Sequence, residues 1–223
     1  MRIIAGLQML AGVDEAGKGA VLGPLVVAAV GWEDGDPVAA VPVRDSKVLS
    51  PQAREHLSEQ ITAGASIRVL VIEAHEIDVG RQSMTMNLLL ARAHARVIAG
   101  LRPTTAYVDA CDVNAARYGR TVAACLDFPC RVVAEHHADA TRPVVSAASI
   151  VAKVTRDRLV RALAPGYGEV GSGYPSDPVT IAFLSRYIAD HGTPPGCARS
   201  SWETTRQILC RAEQADLSRF LGR

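Results

Sequence analysis

The 223-residue sequence has few aromatic residues and almost no net charge. Phe, Trp and Tyr make up 4% of it, and 24 Lys and Arg stand against 23 Asp and Glu, for a formal net charge of +1. Proteins that attract polyanions through bulk positive charge carry a large excess of cations, so this balance argues against such a binder. Any attraction to phosphate has to come from the local placement of Lys and Arg.

Long hydrophobic runs and paired cysteines are also lacking. Apolar stretches are broken well short of the roughly 18 residues of a membrane helix, and no signal-peptide pattern is present. The five cysteines form no CxxC pair, and their odd number prevents complete internal pairing; they are Cys111, Cys125, Cys130, Cys197 and Cys210. We therefore expect reduced thiols, a cytoplasmic location, no membrane contact and a monomer.

The composition that remains is typical of a folded domain. Apolar residues make up 48% of the chain and charged residues 21%, with a mean hydropathy of +0.12. This length suits one large domain, or one domain with a small appendage.

Strand patterns alternate with helix patterns through most of the chain. Strands are predicted at 10–13, 21–30, 67–72, 106–108 and 131–134, and helices at 51–63, 84–101, 114–126 and 146–163. Two further helices, 179–191 and 202–221, follow a Gly- and Pro-rich loop at 165–178. The alternation predicts an α/β fold with a largely covered mixed sheet. We expect a main domain at 1–170 and a helical C-terminal appendage at 171–223.

Four carboxylates fall at strand ends or loop starts. Asp14 and Glu15 follow the first predicted strand, Asp109 follows a later one, and Asp139 precedes the helix at 146–163. Because ligands of open α/β sheets bind at the carboxyl ends of strands, these side chains are candidates to converge. A carboxylate cluster repels itself unless hard cations such as Mg²⁺ or Mn²⁺ occupy it. Alternatively, each Asp caps a helix or closes a turn.

A glycine-flanked turn follows the first carboxylate pair. Gly17, Lys18 and Gly19 place a cation between two residues that let backbone amides approach a ligand closely. The turn suits recognition of a hydroxyl or a phosphate, although GxG also forms ordinary turns.

Six segments together resemble ribonuclease HII, the type 2 ribonuclease H, in its archaeal form. They are 12–19 (GVDEAGKG), 44–49 (RDSKVL), 107–110 (YVDA), 136–139 (HHAD), 146–153 (SAASIVAK) and 171–178 (GSGYPSDP). The match runs in the same order over nearly the whole chain.

The resemblance implies a ribonuclease H-like mixed sheet and a metal-dependent endonuclease. Asp14, Glu15, Asp109 and Asp139 would be both the catalytic residues and the ligands of two Mg²⁺ or Mn²⁺ ions, with Asp14 between them. Such an enzyme cuts the RNA strand of RNA/DNA hybrids and incises 5′ of ribonucleotides embedded in duplex DNA, in replication and ribonucleotide excision repair. The products carry 3′-hydroxyl and 5′-phosphate ends.

The resemblance also assigns substrate contacts. The glycine–lysine–glycine turn would contact the ribonucleotide 2′-hydroxyl, Tyr174 would pack on the sugar of the following nucleotide, and Arg44 and Lys47 would face phosphates. Two positions depart from the family pattern. Lys18 stands where arginine is more frequent, and His137 where lysine is expected, so both phosphate contacts are weaker candidates.

Other residues are interpreted as structural. We expect Lys153, Arg156 and Asp157 to lie on a solvated helix face and to pair with one another, so Arg156 and Asp157 are left out of the site. We expect Trp202 to be a core anchor.

Two other functions remain open. One is another ribonuclease H-fold nuclease such as a junction resolvase, and the other is a hybrid-binding module without catalysis.

The C-terminus resembles the motif by which replication proteins bind the sliding clamp, PCNA. Gln214 is followed three residues on by Leu217, then by Phe220 and Leu221. One helical turn would present the apolar side chains together to a hydrophobic groove. Alternatively, the same spacing packs a terminal helix onto its own domain.

Overall fold

The computed structural model of the chain describes residues 9–33 and 50–221, with side chains up to Gln214. Arg44 and Lys47 lie outside the described residues, as do the side chains of Leu217, Phe220 and Leu221.

The described strands form one mixed five-stranded sheet in the order β3-β2-β1-β4-β5. Their bounds are β1 Leu10–Ala16, β2 Leu25–Trp32, β3 Ser66–Ile72, β4 Thr105–Asp109 and β5 Arg131–Glu135. β1 pairs antiparallel with β2 and parallel with β4, and β4 pairs parallel with β5. β2 is buried along nearly its whole length, which accounts for its continuous run of Val and Ala.

Helices connect and flank these strands, which confirms the α/β fold class. Their bounds are α1 Pro51–Gly64, α2 Ala74–Ser83, α3 Met86–Leu101, α4 Ala115–Ala123, α5 Ala138–Thr141, α6 Pro143–Arg161, α7 Ala164–Tyr167, α8 Pro178–His191 and α9 Glu203–Leu221. In the described part of the chain, none of them is long and apolar enough to cross a membrane.

Local signals set several helix boundaries as predicted. Ser50 caps α1 by accepting a hydrogen bond from the backbone N–H of Ala53 at 3.2 Å, and Pro51 opens the helix. The end of α3 at Leu101 also agrees with the prediction. Gly100 lies inside the helix, where a Cβ atom would come within 2.8 Å of Arg68 Cγ, and Arg102 takes the left-handed cap conformation with φ 53°.

Helix α2 has no counterpart among the predicted helices. It contains Gly80 and buries few residues, so its apolar pattern is weak. A capping box stabilises its start, in which the Glu76 carboxylate accepts a hydrogen bond from the backbone N–H of Glu73 at 2.8 Å. The recognisable signal was therefore the Glu-x-x-Glu spacing.

The chain divides into two compact units. The first comprises the described residues within Met1–Ala16, Val26–Leu70 and Thr85–Val154, and the second those within Gly17–Leu25, Val71–Met84 and Thr155–Arg223. The predicted division into 1–170 and 171–223 remains a prediction.

Each unit has its own apolar interior. In the first, Val13 of β1 and Val108 of β4 are fully buried. In the second, a cluster that includes Leu22, Phe183 and Leu184 packs against Trp202, which agrees with the prediction of a core anchor.

Candidate active site

The pairing of β1 with β4 brings the first two candidate carboxylates side by side. Val13 pairs with Val108, so the next residues along the parallel strands, Asp14 and Asp109, are neighbours at the same end of the sheet. Asp14 and Glu15 were expected just after the strand, but they lie within it, since β1 continues to Ala16. Strand backbone therefore holds them more firmly than a loop would.

Asp14 lies on the face of the sheet that α6 covers. Its Oδ1 accepts a hydrogen bond from the backbone N–H of Glu15 at 2.7 Å, and the Ser149 side chain of α6 also hydrogen bonds to it. Gly12, two residues earlier and so on the same face, has no room for a side chain because a Cβ atom would collide with the backbone of Val144. The close approach of α6 to β1 therefore requires glycine at position 12.

Glu15 points to the opposite face, toward α3. Its Oε2 lies 3.0 Å from Nε2 of His94, whose Nδ1 lies 3.1 Å from the Tyr118 hydroxyl. A neutral histidine satisfies both contacts when Nε2–H donates to Glu15 and the tyrosine hydroxyl donates to Nδ1. Burial raises the pKa of Tyr118, which keeps that hydroxyl protonated.

Asp139 is connected to this group through the start of α5. The backbone N–H of Ala138 donates to Oδ1 of Asp109 at 2.8 Å, and Asp139 follows in the first turn of the same short helix. Its exposed fraction is 8% and that of Asp14 is 6%, so both carboxylates are largely removed from water.

Burial and neighbouring charges raise the pKa values of two of the carboxylates, Asp14 and Asp109. Burial raises the pKa of Asp14 well above its usual value, and the charges of Glu15 and Asp109 add to the increase. Burial also raises the pKa of Asp109, and the charges of Asp139 and Glu15 raise it further. All four carboxylates therefore interact, and their combined charge is unfavourable unless a cation offsets it.

The chemistry of these side chains fits hard divalent ions, which prefer carboxylate oxygens. Their present conformations do not enclose an ion. Among the described residues, no group of three or more His, Cys, Asp and Glu is arranged closely enough to hold a metal. Rotation of these side chains around an ion would cost little compared with the repulsion that the ion would relieve. The carboxylates therefore still fit a divalent ion.

The glycine turn belongs to the second unit. Gly17 has φ 92° and its carbonyl accepts a hydrogen bond from the backbone N–H of Ala20 at 3.2 Å, while Lys18 is partly exposed. A Cβ atom at Gly19 would meet no atom of the described residues within 4 Å. Packing within this part of the protein therefore does not require glycine at position 19, and close approach of a ligand is a remaining reason for it.

Tyr174, also in the second unit, corrects the interpretation of Arg156. Its ring lies 4.4 Å from Cζ of Arg156, and Arg156 is fully buried. The prediction that Arg156 lies on a solvated helix face is therefore wrong. The burial of Arg156 follows from helix periodicity, since the buried residues Ala152 and Val160 lie one turn before and one turn after Arg156.

The other candidates within the described residues, Gln214 and His137, are both exposed. Gln214 is exposed near the end of α9, and its Nε2 lies 3.6 Å from Sγ of Cys210. His137 is an exposed residue with φ 56° just before α5.

Sequence reasoning also missed His94 and Arg199. His94 is fully buried, four residues after Leu90 and on the same face of α3. Arg199 is fully buried and donates from Nη1 to the carbonyl of Lys18 at 3.1 Å. The position of His94 could be read from helix periodicity; that of Arg199 could not, because no regular element contains it.

The sheet order and flanking helices define a ribonuclease H-like fold. The crystal structure of the ribonuclease H2 from Pyrococcus horikoshii OT3 matches with a TM-score of 0.86 and 40% identity, covering 92% of this chain and 99% of that one. The chain belongs to the ribonuclease HII family, whose model matches residues 11–205. It is accordingly a nuclease of the ribonuclease H class.

Two further relatives support the assignment. A ribonuclease HII from Methanoregula boonei is 55% identical over 212 residues, 95% of this chain and 100% of that protein. The ribonuclease HII in a structure of the PCNA:RNase HII complex from Archaeoglobus fulgidus is 44% identical, with a TM-score of 0.83 and coverage of 87% of this chain and 95% of that one.

Proposed function

We propose that this protein is a divalent-metal-dependent endonuclease that cuts the RNA strand of RNA/DNA hybrids and incises 5′ of single ribonucleotides in duplex DNA. The observation that carries the proposal is the group of interacting carboxylates, Asp14, Glu15, Asp109 and Asp139, in which burial together with mutual repulsion raises the pKa of Asp14 and Asp109. Membership of the ribonuclease HII family supports the same reaction.

These four side chains, Asp14 among them, would hold two Mg²⁺ or Mn²⁺ ions. When bound, such ions activate the attacking water and stabilise the leaving oxygen of an in-line displacement. The chain's own contribution is orientation. Backbone N–H groups of Glu15 and Ala138 fix one oxygen each of Asp14 and Asp109, and His94 fixes Glu15.

Substrate recognition is assigned to the second unit and to the segment before α1. The backbone of Gly17, Lys18 and Gly19 would approach the ribonucleotide 2′-hydroxyl, the group that distinguishes RNA from DNA. Tyr174 would pack on the sugar of the following nucleotide. This mode of recognition does not read base edges, so little sequence preference is expected, and cuts should leave 3′-hydroxyl and 5′-phosphate ends.

Asp14→Asn tests the catalytic assignment, with Asp127→Asn as the matched control. The Asp127 side chain is 83% exposed and its ionic contact is with Arg102, which is also exposed, so its substitution should leave activity unchanged. We expect Asp14→Asn to lower incision of a hybrid by at least about a thousandfold and to weaken Mn²⁺ binding in calorimetry. Full activity in Asp14→Asn would contradict the proposal, as would cutting of branched all-DNA substrates in preference to hybrids.

Arg44 and Lys47 are proposed to contact substrate phosphates. Each contact that is lost should lower the slope of log affinity against log salt by about one. Binding of a hybrid by Arg44→Gln and Lys47→Gln, measured from low to moderate salt, tests this assignment. A slope equal to that of the wild type in both variants would refute it.

The C-terminal residues are proposed to bind the sliding clamp. The structure of the Archaeoglobus fulgidus complex joins a relative of this chain to PCNA. Leu217→Ala combined with Phe220→Ala should abolish binding to the clamp in a pull-down, while Arg206→Ala combined with Gln207→Ala, on an exposed face of the same helix, should not. Equal binding by the two double variants would show that the terminal helix serves only its own domain.

A further inference from the structure

Arg156 is a fully buried cation whose hydrogen bonds go to two separate loops. Its Nη2 donates to the carbonyl of Ser172 at 2.9 Å and lies 3.5 Å from the carbonyl of Leu22. Burial lowers the pKa of this guanidinium, a sign of the cost of holding the charge away from water. A charge held at such a cost is a candidate for a specific role.

Two glycines with positive φ close around the same guanidinium. A Cβ atom at Gly17 would lie 2.7 Å from Nε of Arg156, and one at Gly173 would lie 2.7 Å from Nη2. Gly17 belongs to the turn assigned to the 2′-hydroxyl, and Gly173 immediately precedes Tyr174. Arg156 is therefore in contact with both proposed recognition segments, which are more than 150 residues apart in the chain.

The third contact of Arg156 is with the ring of Tyr174, the residue proposed to pack on the following sugar. Cζ of Arg156 lies 4.4 Å from the centre of the Tyr174 ring. A planar guanidinium over an aromatic face is favourable both electrostatically and by stacking, and it restricts the plane of the ring. Backbone hydrogen bonds reinforce the arrangement, since the N–H of Val21 donates to the carbonyl of Gly173 at 2.8 Å.

The hydrogen-bonding capacity of Arg156 is only partly used. Among the described residues, Nε and Nη1 have no hydrogen-bond partner, and Nη1 lies 3.6 Å from Oδ1 of Asp157. The geometry is that of a spacer that fixes the distance between two loops.

We propose that Arg156 is a positioning residue that holds the Gly17–Gly19 turn and Tyr174 in one arrangement and thereby sets the preference for a ribonucleotide followed by DNA over a continuous hybrid. The inference rests on the proposed function. A single embedded ribonucleotide offers one 2′-hydroxyl and one correctly placed following sugar. The Gly17–Gly19 turn and Tyr174 must therefore both be correctly positioned at the same time. A continuous hybrid offers a 2′-hydroxyl at every position and tolerates a looser arrangement.

Arg156→Lys and Arg156→Met test the proposal, with Arg158→Lys as the matched control. Arg158 lies on the exposed side of α6, two residues away. The readout is the ratio of kcat/KM on a duplex with one ribonucleotide to kcat/KM on a uniform hybrid, with melting temperature measured alongside. We expect Arg156→Lys to lower this ratio by about tenfold, since lysine keeps the charge but loses the fork and the stacking plane. Arg158→Lys should leave the ratio unchanged.

A double-mutant cycle then separates positioning from general destabilisation. If Arg156 acts through Tyr174, Arg156→Lys should lower the ratio no further in a Tyr174→Ala background. An unchanged ratio in Arg156→Lys, additive losses, or failure of both Arg156 variants to fold would overturn the proposal. The two proposals fail differently: wild-type protein that cuts neither substrate refutes both, whereas wild-type cutting with an unaltered ratio in Arg156→Lys refutes only the role of Arg156.

Discussion

The first unit gathers carboxylates, whereas the second buries two arginines. Burial, together with the charges of neighbouring carboxylates, raises the pKa values of Asp14 and Asp109. Arg156 and Arg199 are fully buried but donate to backbone carbonyls and lie over the rings of Tyr174 and Trp202. Both groups contain costly buried charge, but the arginines lie against carbonyls and aromatic rings, whereas the carboxylates lie against one another.

The difference indicates which group depends on an external ligand. Carbonyl dipoles and aromatic faces compensate a buried guanidinium without any other molecule. A cluster of carboxylates has no comparable compensation and favours either protonation or a bound cation. Under the proposed function the first group would bind ions, whereas the second keeps its loops in place. Substitutions should accordingly have opposite effects on stability in the two units.

Asp14→Asn should cause the largest loss of activity and, at the same time, raise the stability of the metal-free protein. Because the folded-state pKa of Asp14 is raised, its ionised form costs stability as pH rises above the ordinary carboxyl range near 3.8. The neutral isostere removes that cost, so the metal-free variant should melt above the wild type at pH 7, and the gain should vanish below about pH 4. Thermal melts in a metal chelator across this range measure it. A variant that melts below the wild type at pH 7 would contradict the claim that the carboxylates of the first unit, unlike the arginines of the second, cost stability.

Arg199→Met should destabilise the protein by about 3 kcal/mol, because it leaves buried carbonyls without their donor. Arg199 donates from Nε and Nη2 to Gly23 at 3.2 Å and from Nη1 to Lys18. Urea unfolding of Arg199→Met beside Arg206→Met, an exposed arginine of α9, isolates this contribution. Equal losses in the two variants would mean that burial of Arg199 is not what stabilises its loops.

Tyr118→Phe should cost about 1 kcal/mol, the usual contribution of one buried hydrogen bond. It removes the hydroxyl that contacts Nδ1 of His94 and thereby loosens the orientation of Glu15. Denaturant unfolding measures the cost, and the metal concentration for half-maximal cleavage reports the effect on Glu15. A stability loss with unchanged metal dependence would limit the histidine to a structural role.

Asp177→Ala should have the smallest effect, a melting temperature lower by about 3 °C at neutral pH. Asp177 accepts hydrogen bonds from the backbone N–H groups of Ser172 at 2.6 Å and Val179 at 3.0 Å, and these contacts lower its pKa to about 2. Since the folded-state pKa is lowered, the contribution is present above about pH 4 and lost as pH falls toward 2. The difference between variant and wild type should shrink over that range; a constant difference would contradict this account of the loop.

Most of the fold, but less of the site, was predictable from sequence. Local signals set the start of α1 and the strands that carry Asp14 and Asp109, because caps and apolar runs act over a few residues. Arg156 was misassigned and His94 was missed, because polar residue type was given more weight than helix periodicity. Their roles depend on Glu15 and Tyr174, which lie far away in sequence, so only the packed structure brings these partners together.

The most direct test compares two duplexes that differ by one hydroxyl group. One carries a single ribonucleotide and the other a deoxynucleotide at the same position, and each is incubated with the protein over a titration of Mg²⁺ or Mn²⁺. The account predicts incision on the 5′ side of the ribonucleotide, with a 3′-hydroxyl end, only when both the metal and the 2′-hydroxyl are present. Cutting of the all-DNA duplex at the same rate, or no cutting with any divalent ion, would contradict it.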